Sequence, residues 1–309
     1  MRRIKDLFIE EYWTIAFKNR EDGAEIYKSD GNIKKRFHVY KPSLKFWLAD
    51  PFFFEREGKV YLFYELFSNI KGRGVIAFSV LKNGIMSAPK VVLEKEFHLS
   101  YPLVFKHDGD IYMLPETCAD NKVQLFKAIS FPEKWEPSYI LLDEVKAVDS
   151  TLFDDGNTKW MFSALPSNGG GFNKSLMLYR VDGRGLCLPH VQNPVASGMD
   201  VRPGGNIFKG ENGKFYRPSQ IAIEECYGSA LIFKRIEALS EKEYIETDMR
   251  VVKPEFVPHN SKRKAFGIHS YALSDQYEAV DLKFKRLNLF KTASVLFSKT
   301  KRKVVGMLK

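Results

Sequence analysis

The chain has 309 residues, of which 44% are hydrophobic and 14% aromatic, and this is ample apolar material for a packed core. All-β domains often exceed about 200 residues, so the length predicts one domain. The formal net charge is +10, but nine of the 48 Lys and Arg, and no Asp or Glu, lie in residues 283–309. The rest of the chain is nearly neutral, which disfavours nucleic-acid binding.

The cysteines and the N-terminal sequence indicate in which cellular compartment the protein is expected. Cys118, Cys187 and Cys226 lie far apart without a C-x-x-C pair or metal-ligand spacing, so we expect reduced thiols, no metal and no other cofactor. Residues 1–13, MRRIKDLFIEEYW, begin with basic residues, but charges interrupt their apolar stretch, unlike in a signal peptide. No window approaches the roughly 18 to 20 apolar residues of a spanning helix. These features predict a cytoplasmic protein.

Five similar segments follow one another at a spacing of about fifty residues, a period typical of propeller blades. Each contains a short apolar strand, a Gly or Asp turn and a second strand. The segments are residues 49–65, 100–116, 148–164, 202–220 and 267–284. The first three align without a gap, which makes Asp50, Tyr101 and Asp149 equivalent.

The stretches between these segments fit two further strands in each repeat, because they are rich in β-branched and aromatic residues bounded by turn residues. Four strands per repeat predict an all-β fold, a five-bladed β-propeller over residues 1–283. The fifth repeat lacks outer strands, and residues 12–18 can supply one and close the ring, which removes free sheet edges. A β-sandwich or a β-solenoid is the alternative for repeats of this kind.

The first strand of every blade in a propeller lines the central axis, so equivalent positions converge there. We expect Asp50, Tyr101, Asp149, Arg202 and His269 to meet at the axis. Carboxylates, a cation and an imidazole at one mouth suit glycosyl chemistry. The alternatives are that Asp50 starts a turn through its Asp-Pro sequence, and that Arg202 forms a structural salt bridge.

Four more residues are candidates for the same site. Glu116, at the end of a second-blade strand, is a candidate acid, unless it pairs with a lysine such as Lys122. His98 is a candidate for contact with sugar hydroxyls, unless it is buried and bonded to a backbone carbonyl. Arg217 is a candidate phosphate ligand, and Trp47 is a candidate for stacking on a sugar ring, although most aromatic residues belong to the core.

The C-terminal segment predicts a second kind of structure. Residues 284–297, FKRLNLFKTASVLF, carry an apolar stripe at helical spacing with basic residues on its flank. The stripe consists of Phe284, Leu287, Phe290, Ala293 and Phe297. We expect a basic amphipathic helix in a tail over 284–309 that binds an anionic membrane surface, on the inner face of the membrane. The alternatives are a helix that caps the propeller and a solvated lysine face.

Six motifs, taken together and in order, carry a family resemblance. They are LADPFFF at 48–54, HLSYPLVF at 98–105, YMLPET at 112–117, AVDSTLF at 147–153, RPGGNIF at 202–208 and GIHS at 267–270. This set resembles the propeller domain at the N-terminus of plant glucosamine inositolphosphorylceramide transferases and its stand-alone bacterial relatives. It is more distantly similar to the five-bladed glycoside hydrolases of families 43 and 32. The resemblance covers about residues 12–283.

The resemblance to the hydrolases implies roles for two residues. In those enzymes an Asp in the first blade is the base or nucleophile, an Asp in the third blade orients, and a Glu further along is the acid. Asp50 matches the first and Asp149 the second, whereas the fourth-blade position of the acid reads Arg202-Pro203-Gly204. A sugar alkoxide needs a proton in order to leave, but a phosphate leaves as an anion and needs a cation such as Arg202.

The sequence therefore predicts a carbohydrate-active enzyme that transfers a glycosyl unit from a phosphate-activated sugar in surface-polysaccharide or glycolipid biosynthesis. In this hypothesis Asp50 deprotonates the acceptor, Asp149 orients, and Arg202 with His269 or Arg217 receives the phosphate. The expected partner is a sugar or glycan that is phosphate-activated or lipid-linked. One alternative is an inverting glycoside hydrolase with Glu116 as the acid, and another is a non-catalytic glycan-binding propeller.

Overall fold

The computed structural model describes residues 8–28, 35–166, 175–183, 185–223 and 226–288. Within these ranges the chain forms five antiparallel sheets, each built around a row of four hydrogen-bonded strands. The five sheets are the blades of a propeller, so the all-β five-bladed fold predicted from the repeats is confirmed.

The strands are numbered along the chain. The N-terminal part supplies the two outer strands of blade five, which are β1 (Ile9–Asn19) and β2 (His38–Val39). Blade one contains β3 (Phe46–Arg56), β4 (Lys59–Ser68), β5 (Arg73–Lys82), β6 (Ile85–Met86) and β7 (Lys90–Leu93). Blade two contains β8 (Ser100–His107), β9 (Asp110–Glu116), β10 (Val123–Ser130) and β11 (Lys134–Leu142).

Blade three contains β12 (Val148–Asp154), β13 (Lys159–Leu165), β14 (Ser175–Val181), β15 (Cys187–Pro189) and β16 (Ala196–Ser197). Blade four contains β17 (Phe208–Lys209), β18 (Phe215–Ile223), β19 (Cys226–Leu239) and β20 (Tyr244–Val252). The inner strands of blade five are β21 (Tyr271–Leu273) and β22 (Tyr277–Leu287). β1 pairs with β22 along its whole length and thereby joins the two ends of the ring.

The core lies between the blades. Five clusters of buried hydrophobic residues fill the five spaces between neighbouring blades; examples are Phe63 and Phe126 between blades one and two, and Phe162 and Tyr244 between blades three and four. Because each blade is covered on both faces, its middle strands are apolar almost throughout, as in the KVYLFYELFS sequence of β4. Each fully buried large side chain contributes about 1.5–3 kcal/mol, so the aromatic content of the repeats is what holds the blades together.

A bulge interrupts the innermost strand in each of the first three blades. The register shifts between Ala49 and Phe52 in β3, and at the corresponding points of β8 and β12. The equivalent residues Asp50, Tyr101 and Asp149 sit in these bulges with φ values of 52°, 50° and 51°. A left-handed conformation is unusual for residues other than glycine, and an extra residue in one strand re-aims the side chain. The repeat therefore encodes a local backbone turn as well as a strand.

The C-terminal part differs from the prediction. β22 continues to Leu287, so the propeller extends past the expected boundary at 283, and residues 284–287 are strand rather than the start of a helix. Phe284 and Arg286 are both buried. Residues two apart point to the same face in a strand but not in a helix, so this pattern agrees with a strand. The rest of the predicted amphipathic tail, residues 289–309, lies outside the described residues. In the described part, no helix has the length and apolar character needed to cross a membrane.

Candidate active site on the propeller axis

A cavity of about 210 Å³ opens among the inner strands of the blades. Its polar lining combines acids and bases from four blades and from the segment before β8. These side chains are Asp50, Glu65, His98, Glu116, Arg202 and His269. Its aromatic lining consists of Trp13, Trp47, Phe67 and Tyr227. A small polar cavity with aromatic walls is suited to a sugar-sized ligand.

Asp50 occupies the bulge of β3 and is buried. Its Oδ1 accepts a hydrogen bond from Ser270 Oγ at 2.8 Å, and its backbone N–H donates to Asp281 Oδ2 at 3.1 Å. Burial raises the pKa of Asp50 from its ordinary 3.8 to about 6; His269 opposes this shift, and Asp149 and Asp281 add to it. A carboxyl group with this pKa exchanges its proton close to neutral pH, as a general base must.

His269 lies between two carboxyl groups. Its Nε2 is 3.3 Å from Asp50 Oδ1, and its Nδ1 is 2.8 Å from Asp281 Oδ2. Burial alone lowers the pKa of His269, but Asp281 and then Asp50 outweigh it, and the net result is a raised pKa. The imidazolium is thus favoured next to Asp50, and Asp281 fixes its orientation.

The same three side chains are the candidates for holding a metal ion in the part of the chain that the structure describes. Asp50, His269 and Asp281 bring one ligand atom each within 4.8 Å of one another. The backbone N–H groups of His269 and Ser270 already donate to Asp281 Oδ1, at 3.0 and 2.9 Å. These hydrogen bonds fix the position of the Asp281 carboxylate beside His269.

A second charged group is centred on Arg202, which also lines the cavity. Arg202 Nε donates to Asp149 Oδ2 at 2.5 Å, and Arg202 Nη2 lies 3.7 Å from Glu116 Oε2. Gln220 Nε2 also donates to Asp149 Oδ2, at 2.6 Å. The guanidinium lies 5.3 Å from the ring centre of Tyr227, within the range of a cation–π contact.

Glu116 is the candidate acid that the sequence left open. Burial, followed by the charge of Asp149, raises the pKa of Glu116 well above its usual range, and Arg202 counteracts this only in part. In the described part of the chain, Lys122 pairs with Asp120 at 3.9 Å, and the cation beside Glu116 is Arg202. A protonated Glu116 in the cavity can donate a proton.

Glu65, in β4 of blade one, also lines the cavity. Burial, with the charge of Asp50 next, raises the pKa of Glu65 well above its usual range. Its Oε1 lies 3.4 Å from Nε2 of His98. Since His98 Nδ1 accepts a hydrogen bond from the Gly74 N–H at 2.9 Å, the proton of a neutral His98 is on Nε2 and points towards Glu65.

Three predicted site residues do not line the cavity, namely Tyr101, Asp149 and Arg217. Asp149 contacts the site through its bond to Arg202, which does line the cavity. Tyr101 is fully buried, and its hydroxyl accepts from the Gly205 N–H at 2.7 Å and contacts Thr151 Oγ1 at 2.9 Å, so it ties blades two, three and four together. Arg217 is fully buried and donates two bonds to Glu246, at 2.9 and 2.8 Å. The prediction of Arg217 as a phosphate ligand therefore finds no support in its position, because a paired and buried guanidinium has no access to ligand.

Trp47 does line the cavity, where it stacks on Phe67 with ring centres 4.4 Å apart. Sequence reasoning missed Asp281, Trp13 and Tyr227. Asp281 carried a usable signal, because it is a charged residue inside the apolar strand YEAVDLKF. Trp13 comes from β1, an outer strand of blade five, and it reaches the cavity because ring closure pairs β1 with β22.

The fold and this cavity define a five-bladed β-propeller with a cluster of acids at its axis. Residues 39–276 match the family model described as glucosamine inositolphosphorylceramide transferase 1, N-terminal, and the chain belongs to this family.

Curated relatives agree with this assignment. Glucosamine inositolphosphorylceramide transferase 1 from Arabidopsis thaliana is 33% identical over 211 residues, which are 66% of this chain and 27% of the relative. The protein of the same name from Oryza sativa subsp. indica is 30% identical over 212 residues, 66% of this chain and 28% of the relative. The chain thus spans little more than a quarter of the length of the relatives it matches.

Solved structures support the fold alone, because their sequences are distant. Zg3597, a family 117 glycoside hydrolase from Zobellia galactanivorans, superimposes with a TM-score of 0.55 at 12% identity, covering 92% of each chain. The RS223 β-xylosidase superimposes with a TM-score of 0.55 at 11% identity, covering 79% of this chain and 92% of its own.

Proposed function

We propose that the chain is a carbohydrate-active enzyme that transfers a glycosyl unit from a phosphate-activated sugar to a hydroxyl group in glycolipid or surface-polysaccharide assembly. The observation that carries the proposal is the position of Asp50, a buried carboxyl group in the axial cavity with a pKa of about 6. The names of the family and of its curated relatives favour transfer.

In this proposal Asp50 takes the proton of the acceptor hydroxyl as the new glycosidic bond forms. His269, oriented by Asp281, stabilises the ionised Asp50 before the reaction and adjusts its basicity. Arg202 is the cation nearest to the place where a departing phosphate gains charge. Asp149 holds the guanidinium in position through its Nε, which leaves the Nη groups on the side of Glu116.

Hydrolysis is the second candidate, and Glu116 is the observation that favours it. The sequence offered no acid at the fourth-blade position, and this was the main reason for preferring a phosphate leaving group. Glu116 lines the cavity with a raised pKa and can protonate a sugar oxygen. Together with Asp50 as the base, it supplies the two carboxyl groups that inverting hydrolysis needs.

The test compares Asp50→Asn and Glu116→Gln with the wild type on nucleotide sugars with a lipid-linked or hydroxyl acceptor, and on aryl glycosides in water. Transfer predicts activity on the activated donor that Asp50→Asn reduces by on the order of 100- to 10,000-fold. Hydrolysis predicts release from aryl glycosides that both variants abolish. Glycan binding with no turnover in any assay, retained by Asp50→Asn, would identify a non-catalytic propeller instead.

We also propose that the protein acts on the cytoplasmic side, peripherally at the membrane, because a lipid-linked substrate would be found there. The basic sequence of residues 289–309 supports this placement. Separating membrane from soluble fractions at low and high salt tests it. Recovery in the soluble fraction at both salt concentrations would contradict peripheral attachment.

A further inference from the structure

A groove of about 500 Å³ lies at the outer part of blade five and shares no lining residue with the axial cavity. Its walls come from the first part of β1, the end of β2 with the segment after it, the loop 260–263 and the end of β22. Four of its lining residues are basic, namely Lys41, Lys262, Arg263 and Arg286. None of its lining residues is acidic.

Three of these basic residues are available to a ligand. Lys41, Lys262 and Arg263 are exposed, and none of them forms an ion pair with a carboxylate of the described residues. Arg263 Nη1 donates to Tyr12 OH at 3.0 Å, which holds its guanidinium at the groove without reducing its charge. Three cations without acidic partners around one groove create a local positive potential.

Arg286 has a different task, because it builds the groove. It is buried, its Nε bonds Glu10 Oε2 at 2.7 Å, and its Nη1 donates to Ser43 O at 2.9 Å. Its guanidinium also lies 4.3 Å from the ring centre of Tyr12. These bonds fix the segment that carries Lys41 against the blade, so the position of this part of the groove is set by the fold.

Exposed aliphatic side chains accompany the cations. Leu287 is 69% exposed and Leu44 38% exposed, and both line the groove. Ile9, the direct partner of Leu287 in the neighbouring strand, is 41% exposed on the same face. Beyond Asn288, the sequence to residue 309 contains six more basic residues and no acidic one.

We infer that this groove is a docking site for the anionic headgroups of a lipid membrane. A membrane surface is the occupant that offers both phosphate groups for the cations and an apolar boundary for Leu44, Leu287 and Ile9. The site belongs to the folded propeller, so it acts in addition to any contribution of residues 289–309. It does not depend on the proposed chemistry at the axis.

The test measures sedimentation of the full chain with vesicles of phosphatidylglycerol and phosphatidylcholine. The variant carries Lys41→Glu, Lys262→Glu and Arg263→Glu; a second variant with glutamine at these positions serves if the first one folds poorly. Since each basic residue near the surface contributes roughly fivefold in affinity, the loss of three should weaken vesicle binding on the order of 100-fold. Sugar turnover or binding at the axis should remain unchanged.

The matched control is Lys59→Glu with Lys134→Glu and Lys214→Glu, three exposed lysines on blades one, two and four that give the same net charge. It should weaken binding far less, because those residues lie away from the groove. Equal binding by the two variants overturns the inference. Groove-dependent binding of inorganic pyrophosphate, combined with equal vesicle binding by both variants, also overturns it and assigns a soluble anion to the groove.

Discussion

Replacing Asp50 with asparagine should make the protein more stable at neutral pH while it removes the proposed activity. The folded state raises the pKa of Asp50 from 3.8 to about 6, chiefly through burial. This change corresponds to about 3 kcal/mol of unfavourable ionisation in the folded state. Asparagine fits the same space and can still accept the hydrogen bond from Ser270.

The pH dependence follows from the sign of the shift. As the pH rises, the unfolded chain releases this proton near pH 3.8, whereas the folded protein retains it until about pH 6. The contribution of Asp50 to the free energy of unfolding of the wild type is therefore fully present below pH 3.8. It is lost as the pH rises above 6. Asp50→Asn removes this loss, so the variant should be about 2–3 kcal/mol more stable than wild type at pH 7 and nearly equal to it at pH 4.

Urea unfolding at pH 4 and pH 7, followed by intrinsic tryptophan fluorescence, measures both differences. Asp275→Asn is the matched control, because Asp275 is exposed in the turn before β22 of the same blade, and it should change stability at neither pH. Equal destabilisation by Asp50→Asn at both pH values would refute the reasoning. Asp50 would then act through its bulge conformation instead of its charge.

Three further substitutions test how the site is held. Gly205→Ala places a Cβ 1.9 Å from the backbone oxygen of Tyr271, at a φ of +136°. The substitution should abolish folding or strongly lower the melting temperature. A soluble protein with the wild-type melting temperature would contradict this close approach. Arg202→Gln leaves Asp149 as an uncompensated buried charge. It should lower the free energy of unfolding, measured with urea at pH 7, by about 3–5 kcal/mol. A loss below about 1 kcal/mol would mean that the pair is not desolvated. Tyr101→Phe removes a buried hydroxyl, so it should lower the free energy of unfolding by about 1–3 kcal/mol and leave turnover unchanged. A large loss of turnover would instead place Tyr101 in the site.

The repeat made most of the fold predictable, because each blade solves the same packing problem with the same residue types. Aligning the first three repeats placed Asp50, Tyr101 and Asp149 at equivalent positions, and the structure puts all three in the same left-handed bulge. Equivalence predicts where a side chain starts, but not what it meets. Tyr101 is long enough to reach Gly205, and it therefore joins blades together instead of lining the cavity.

The parts that could not be predicted depend on partners far away in the sequence. Arg217 is isolated by Glu246, and this pairing has no sequence signal. Glu65 is at the repeat position equivalent to Glu116, but the alignment does not show that its side chain reaches the cavity. The end of β22 was misread because Arg286 points inward with Phe284. A search for hydrophobic periodicity treats arginine as an exposed residue. A buried arginine therefore breaks the alternation of apolar and polar residues by which a strand is recognised in the sequence.

Charge explains why the acids at the axis do different work. Glu65 and Glu116 keep their protons to a higher pH than an exposed glutamate does, because burial raises the pKa of each. Asp149 already has Arg202 as its partner, and Asp281 has His269.

Burial brings the pKa of Asp50 to about 6, close to neutral pH, and Asp50 lines the cavity where a ligand would bind. If Glu116 remains neutral, an incoming phosphate group meets the cation of Arg202 without a second ionised carboxylate beside it. Raising the pH until Glu116 ionises then has opposite consequences for the two candidate reactions. Transfer should show a rising KM for the phosphate-activated donor, because the donor is repelled, whereas hydrolysis should show a falling kcat, because the acid has lost its proton.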